Sequence, residues 1–313
     1  MLQLEIAIAS GRSFLDLASY ARPGPSRRAY FAQDPLEQIG RTVGKVPEVM
    51  VKVCGGGKSI KAVAAHFAYI GRQDFQIETD DGEQVKGKEA DTQLLKDWEL
   101  DLYAVENRLS YRSVRGRRPV KLVHNIVLSM PAGSSATGVL QASRDFAREQ
   151  FALKHRYALV HTDQPHPHVH LVVKAMGEQG ERLHISNTNL REWRREFARH
   201  LRSQGIAANA TDRVVRGANK PHKPDRIYRA MRAGRSTHLQ QLVQVVALGL
   251  RHASLQPESR KSRLLETRRE IVRQWQELGV QLQASGHADL ARSVNGFVTR
   301  MPAPQTEREQ PPG

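Results

Sequence analysis

Four histidines and one aspartate lie within ten residues of one another in the segment HTDQPHPHVH, residues 161–170. Side chains alternate between the faces of a β-strand, so His168 and His170 must share a face if a strand begins there. His161 ends the preceding β-branched run, and a turn could bring it alongside as a third nitrogen ligand. Three imidazoles would leave coordination positions open for water or substrate, which is typical of a catalytic divalent metal.

Two further side chains of the segment could support such a site. Asp163 is suited to hydrogen-bond a ligand imidazole and hold its tautomer, and His166 could do the same or touch the substrate. A metallo-β-lactamase-type site is a weaker alternative, because its aspartate follows the His-x-His pair. A histidine-rich surface turn without metal is the other alternative. Cys54 is the single cysteine, which excludes a thiolate cluster and an intrachain disulfide.

Covalent catalysis would fall to Ser, Thr, Tyr or Lys in a chain without a useful cysteine. Tyr69 lies near the end of a segment, residues 59–70, in which apolar side chains recur at helical spacing. Gly71 would let this helix end and expose the phenol, and Arg72 could neutralise an anion beside it. Packing is the ordinary explanation for a tyrosine on a helix, so the position alone does not assign a nucleophile.

The glycine run at 55–57, followed by Lys58 and Ser59, is similar to a nucleotide-binding phosphate loop. That motif needs a glycine five places before Gly57, where this chain has Lys52. No acidic Walker B strand follows, so nucleotide hydrolysis is disfavoured. Backbone N–H groups of the loop, together with Lys58 and Ser59, are suited to hold a phosphate of DNA.

The elements that must position these residues alternate between strands and helices. We predict strands at 49–53, 120–130, 157–161 and 168–175, a hairpin at 75–85, and helices at 59–70, 92–109, 137–153, 187–204, 220–250 and 262–282. The short connection between the two strands around the histidines favours antiparallel pairing. The predicted fold class is α+β, an antiparallel β-sheet with helices packed on it, followed by a basic helical C-terminal region.

Positive charge dominates the composition: 48 Lys and Arg against 32 Asp and Glu give a formal net charge of +16 at pH 7. This excess predicts a polyanionic partner, and it is concentrated at 108–121 and 181–235. Arg115, Arg117 and Arg118 have no acidic residue nearby, so we predict that they contact phosphates. A hydrophobic content of 39% suffices for a folded core. No segment suits an export signal or membrane span, so we expect a cytoplasmic protein without membrane insertion.

Three segments taken together resemble the ordered motifs of conjugative relaxases: AAHFAYIGR at 64–72, HNIVLSMP at 124–131 and the histidine segment at 161–170. The most similar type is the P group, which includes the T-DNA border nuclease, within the HUH endonuclease superfamily. The resemblance covers about 49–175. It implies an HUH-type palm in which Tyr69 is the nucleophile and a divalent metal is held by His161, His168 and His170.

The resemblance also implies an activity and partners. A relaxase nicks one DNA strand at an origin of transfer, forms a 5′-phosphotyrosine link and can rejoin the strand, which starts conjugative transfer or mobilisation. Its partners would be single-stranded DNA, relaxosome accessory proteins and a type IV coupling protein. Mg or Mn is the expected metal, with Zn, Co or Ni as alternatives.

One departure from the family pattern is that the nucleophilic tyrosine usually lies near the chain start, whereas 68 residues precede Tyr69. Tyr20 and Tyr30 therefore remain rivals. We predict an N-terminal extension at 1–47, the relaxase domain at 48–205, a basic helical region at 206–300 and a disordered tail at 301–313. Two other functions stay open, a rolling-circle replication initiator and a non-catalytic DNA-binding accessory protein.

Overall fold

A computed structural model describes residues 35–71, 76–85, 90–105, 120–162, 166–218, 225–251, 259–306 and 309. These residues form two compact units. One is Val46–Ala210, and the other combines the described parts of Met1–Lys45 and Thr211–Gly313. None of the helices in the described ranges is long and apolar enough to cross a membrane.

The unit Val46–Ala210 is built on a six-stranded sheet. Its strands are β1 (Met50–Gly55), β2 (Ile77–Thr79), β3 (Gln84–Val85), β4 (Val123–Ser129), β5 (Tyr157–Thr162) and β6 (His168–Lys174). Their order across the sheet is β1-β4-β6-β5-β2-β3, and every neighbouring pair is antiparallel. The predicted antiparallel sheet is therefore confirmed, and β6, which carries the histidine pair, lies inside it between β4 and β5.

Both faces of β6 contribute to a core. Val169, Leu171 and Val173 belong to one buried cluster, whereas Val172 belongs to a second cluster on the opposite face. A strand that is apolar on both faces must be covered from both sides, because exposed apolar surface would lose the hydrophobic stabilisation of the core. Helices accordingly pack on each face of this sheet.

The first face is covered by α4 (Ala136–Phe151) and α5 (Asn187–Ser203). Ser135 and Ser186 cap the N-termini of these helices, and Ser186 forms a capping box with Asn189. A cluster of edge-to-face aromatic rings joins the two helices to each other, with centroid distances between 5.4 and 6.4 Å among Phe146, Phe151, Trp193 and Phe197.

The second face is covered by α2 (Ile60–Ile70) and α3 (Ala90–Asp97). The rings of Phe67 and Trp98 meet edge to face here, with centroids 5.8 Å apart. The predicted helix at 92–109 is interrupted, because Glu99 takes a positive φ of 49°, and residues 100–105 are helical again. Residues 106–109 of that prediction lie outside the described part of the chain.

The other unit is helical where it is described. Its helices are α1 (Pro35–Val43), α6 (Asp225–Arg232), α7 (Thr237–Arg251), α8 (Ser259–Ala284) and α9 (Ala288–Thr299). Helices α1, α8 and α9 share a core in which Trp275 and Phe297 pack with ring centroids 5.2 Å apart. The indole of Trp275 donates a hydrogen bond to the carbonyl oxygen of Val215 at 3.0 Å.

Part of the segment that we predicted to be an N-terminal extension is ordered structure. Helix α1 buries Ile39 and Val43 in the core shared with α8 and α9, and Thr42 is hydrogen-bonded to Thr211 at 2.9 Å. A nine-residue helix shows too short an apolar period to stand out in a sequence, and its partners lie more than 160 residues away. Residues 1–34 lie outside the described part of the chain.

Candidate functional site

The histidine pair of β6 lies at the start of the strand, on the face covered by α2 and α3. His168 and His170 alternate with the buried Val169, and their ring centroids are 5.2 Å apart. Two imidazoles that bind one metal through nitrogens at about 2.1 Å have ring centroids about 5–6 Å apart. The spacing of this pair therefore fits two ligands of a single divalent ion.

The protonation state of His170 and the ring orientation of His168 also suit metal binding. Burial, followed by the charges of His168 and His66, lowers the pKa of His170 to about 4. His170 is therefore neutral at pH 7, which is the form that a metal binds. The Nδ1–H group of His168 donates to the backbone oxygen of His166 at 3.0 Å, which puts the ring lone pair on Nε2.

Helix α2 lies along the same face and brings Tyr69 towards the pair. Ser59 caps its N-terminus, and Val63, Phe67 and Ile70 are buried beneath it. The helix ends where the N–H of Gly71 donates to the oxygen of Phe67 at 2.7 Å. This packing fixes which side of the helix remains accessible.

The accessible side of α2 carries His66 and, three residues later, Tyr69. The rings of the two residues are stacked at 20°, with centroids 6.5 Å apart, and His66 meets His170 edge-on at 6.3 Å. Tyr69 is 53% exposed, so a substrate could reach its phenol. The structure thus brings together Tyr69, His66, His170 and His168 in one row.

His161 does not join this row through strand pairing. In the register of β5 against β6, His161 stands opposite Val169, whereas His170 stands opposite Val160. Directly opposed residues share a face, so the side chain of His161 projects from the face covered by α4 and α5. Within the described ranges, no group of three or more His, Cys, Asp or Glu side chains is placed to hold a metal ion.

Several predicted site residues lie outside the described part of the chain, namely Asp163, Arg72, Arg115, Arg117 and Arg118. His166 is described and exposed, and its Nδ1 accepts a hydrogen bond from the N–H of Ala132 at 3.1 Å. Its backbone oxygen orients His168, as given above. His166 therefore makes one hydrogen bond through its ring and another through its main chain.

The glycine loop before α2 has a packing role. A Cβ on Gly57 would lie 2.3 Å from Cγ2 of Val63, and one on Gly56 would lie 2.3 Å from the oxygen of Val123. The hydroxyl of Ser59 accepts a hydrogen bond from the N–H of Ala62 at 3.3 Å. The glycines are therefore required where the loop approaches α2 and β4, while Lys58 is exposed to solvent.

His124, the histidine of the middle motif, lies on the opposite face from His170. It stands opposite Val173 in the register, and its Nε2–H donates to the backbone oxygen of Leu183 at 3.2 Å. Burial, followed by the charge of Lys121, lowers the pKa of His124 to about 4. This histidine is therefore neutral and structural at pH 7.

We expect His124 to make the protein less stable in mild acid. Its pKa is lower in the folded chain than the ordinary 6.5, so the unfolded chain binds the extra proton. Its stabilising contribution is complete above pH 6.5 and declines as the pH falls towards 4, by about 3 kcal/mol at most. Denaturant unfolding from pH 7 to 4.5 should show a smaller loss of stability in His124→Gln. An equal loss in both proteins would contradict this.

The comparison with known protein families gives a match over residues 78–206, to the family described as Relaxase: MobA/VirD2-like, nuclease domain. Residues 78–206 are therefore similar to the nuclease domain of that relaxase family. The match runs from β2 to the end of α5 and includes β6 with its histidine pair. It begins after α2, so Tyr69 and His66 lie before the matched stretch.

A curated relative of the relaxase domain is the T-DNA border endonuclease VirD2 of Rhizobium radiobacter. It is 34% identical over 116 residues, which cover 33% of this chain and 27% of VirD2. The similarity thus spans about a quarter of the length of that relative.

Two solved structures are similar to the chain in fold. One is the MobM relaxase domain bound to a 26-nucleotide pMV158 oriT DNA, with 12% identity, a TM-score of 0.37, and coverage of 57% of this chain and 96% of that one. The other is described as the molecular basis of vancomycin resistance transfer in Staphylococcus aureus, with 14% identity, a TM-score of 0.32, and coverage of 53% and 99%.

His66 is the residue beside the His168–His170 pair that the sequence analysis did not single out. It stands three positions before Tyr69, and on a helix residues three apart are neighbours. The spacing indicates that His66 and Tyr69 share a side of α2, but it does not show that this side lies over β6.

Proposed function

We propose that this chain is a DNA relaxase, which nicks one strand at an origin of transfer and starts conjugative transfer or mobilisation. The observation that supports this most is the row formed by Tyr69, His66 and the His168–His170 pair on one face of the sheet. An exposed phenol beside two imidazoles combines a nucleophile with ligands for a metal. The family match over 78–206 supports the same class of enzyme.

In this proposal Tyr69 attacks the scissile phosphodiester. Its Oη forms a bond to phosphorus while the bond from phosphorus to the 3′ oxygen breaks, and the phenolic proton is lost as the 3′ oxygen gains one. The products are a 5′-phosphotyrosine and a free 3′ hydroxyl. The protein link keeps the phosphodiester character of the broken bond, so the reverse reaction can rejoin the strand without ATP.

The proposed cofactor is a divalent metal ion, Mg or Mn first, with Zn, Co or Ni as alternatives. His168 and His170 fit it by their spacing, and His161 is proposed as the third ligand from its motif position. In the strand register, the side chain of His161 projects from the opposite face of the sheet. To join the pair, its ring must reach around the end of β5. The metal, when bound, polarises the phosphate and stabilises charge on the leaving oxygen.

The proposed partner is single-stranded DNA. Lys58 is exposed at the loop that precedes α2, and Ser59 caps that helix. We retain Arg72, Arg115, Arg117 and Arg118 as phosphate contacts, which would make binding strongly dependent on salt. Asp163 and His166 remain proposed supporting residues, and relaxosome accessory proteins and a type IV coupling protein remain proposed partners.

A denaturing gel tests the proposed function. The wild-type chain is incubated with a pool of 3′-labelled, sequence-randomised single-stranded oligonucleotides and Mn²⁺, because the 3′ label stays on the fragment that tyrosine would retain. We expect a covalent protein–DNA band that disappears with excess EDTA, and sequencing of the trapped DNA then gives the nick site. Binding without a covalent band would contradict the proposal and favour a non-catalytic accessory protein.

A further inference from the structure

His66 is a half-buried side chain, and one of its ring nitrogens is buried without a hydrogen-bond partner. Its Nε2 is inaccessible to solvent and has no hydrogen-bond partner among the described residues. A buried polar atom without a partner loses the hydrogen bond that water would otherwise supply, so it calls for an explanation.

The position of His66 indicates what could satisfy this nitrogen. Its ring stacks on Tyr69 on one side and meets His170 edge-on on the other. A phosphate attacked by Tyr69 must lie about 3–3.5 Å from the phenolic oxygen and also face the His168–His170 pair. Such a phosphate would lie between the two neighbours of His66.

We propose that His66 is a further substrate-contacting residue, whose Nε2–H donates a hydrogen bond to a non-bridging oxygen of the scissile phosphate. This rests on the proposed function of the site. A phosphate offers only acceptor oxygens, so the ring must carry a proton on Nε2 to make this contact. The contact would both satisfy the buried nitrogen and stabilise the charge that the phosphate gains in the transition state.

A role as a third metal ligand fits the geometry less well. The ring of His66 is 6.3 Å from His170, against 5.2 Å between His168 and His170. Contact with the phosphate requires the DNA to occupy the space beside Tyr69 and the ring of His66 to turn its Nε2 towards that space.

Two substitutions test this role with the oligonucleotide selected by the wild-type chain. His66→Leu removes the donor, whereas His66→Gln keeps an N–H group at a similar reach. We expect the single-turnover rate of adduct formation to fall about 10²-fold in His66→Leu, and to recover by tenfold or more in His66→Gln. Binding of DNA, measured in the Tyr69→Phe background, and binding of Mn²⁺, measured by calorimetry, should both change less than threefold.

A thio substitution at the scissile phosphate identifies the contact itself. Sulfur at the contacted oxygen should slow the wild-type chain more than His66→Leu, because the variant has already lost that interaction. His287→Gln is the matched control, since His287 is outside the site unit and makes no capping hydrogen bond. It should behave as the wild type does.

The possible outcomes separate the two proposals. Normal cleavage by His66→Leu, with a wild-type adduct present, would overturn the role of His66 alone. A tenfold or larger loss of Mn²⁺ affinity in His66→Leu would also overturn it, by making His66 a metal ligand. A wild-type chain that forms no adduct would overturn both the role and the proposed function.

Discussion

Replacing Tyr69 with phenylalanine is expected to abolish the covalent protein–DNA band and to lower cleavage by on the order of 10⁴-fold or more. The substitution removes only the phenolic oxygen, which is the atom proposed to attack phosphorus. Because Tyr69 is 53% exposed at the end of α2, little packing depends on that oxygen. The measurement is adduct formation on the selected oligonucleotide, read on a denaturing gel.

The controls for this experiment are the two rival tyrosines. Tyr20→Phe and Tyr30→Phe should form the adduct at the wild-type rate if Tyr69 is the nucleophile. Tyr69→Phe should still bind the oligonucleotide and unfold at the wild-type temperature, which shows that the chain is intact. An adduct formed by Tyr69→Phe would contradict the assignment, and its loss in Tyr20→Phe or Tyr30→Phe would transfer the role to that tyrosine.

The second large effect is expected at His170, which lies between His66 and His168 in the row. His170→Ala should reduce the nicking rate about 10³-fold, because a metal that stabilises phosphoryl charge contributes several kcal/mol to the transition state. Mn²⁺ affinity should fall at least tenfold, since a neutral nitrogen ligand is lost. Single-turnover kinetics and calorimetry on the same preparation measure the two effects.

His170→Ala needs a histidine control outside the site, and His287→Ala serves because it lies in the helical unit. That variant should nick DNA and bind Mn²⁺ as the wild type does. DNA binding by His170→Ala should remain within threefold of the wild type, because phosphate contacts supply most of that affinity. Unchanged Mn²⁺ affinity and nicking in His170→Ala would remove the proposed metal site from β6.

The sheet and the helices that cover it could be predicted from local patterns. The β-branched runs at 120–130 and 168–175 became β4 and β6, and the helical spacing at 59–70 became α2. These patterns are strong because each segment buries a regular apolar face, and burial fixes its period. For the same reason, the shared face of His168 and His170 followed from strand alternation alone.

Other features depend on how the elements are paired, which the local pattern does not contain. A shift of one residue between two strands moves every side chain to the opposite face, so the face of His161 is decided by the register of β5 on β6. The location of His66 over His170 depends on the packing of α2 against the sheet. Helix α9 was missed as well, since its partners α1 and α8 are brought together only by the fold.

The most direct test of the central claim is to find which residue carries DNA. The trapped adduct is digested with nuclease and trypsin, and the peptide that retains a nucleotide is sequenced by mass spectrometry. We predict the peptide AVAAHFAYIGR, residues 62–72, with the nucleotide on Tyr69, its single tyrosine. A nucleotide on a peptide that contains Tyr20, Tyr30 or any other residue would contradict the proposal that α2 presents the nucleophile to the histidine pair of β6.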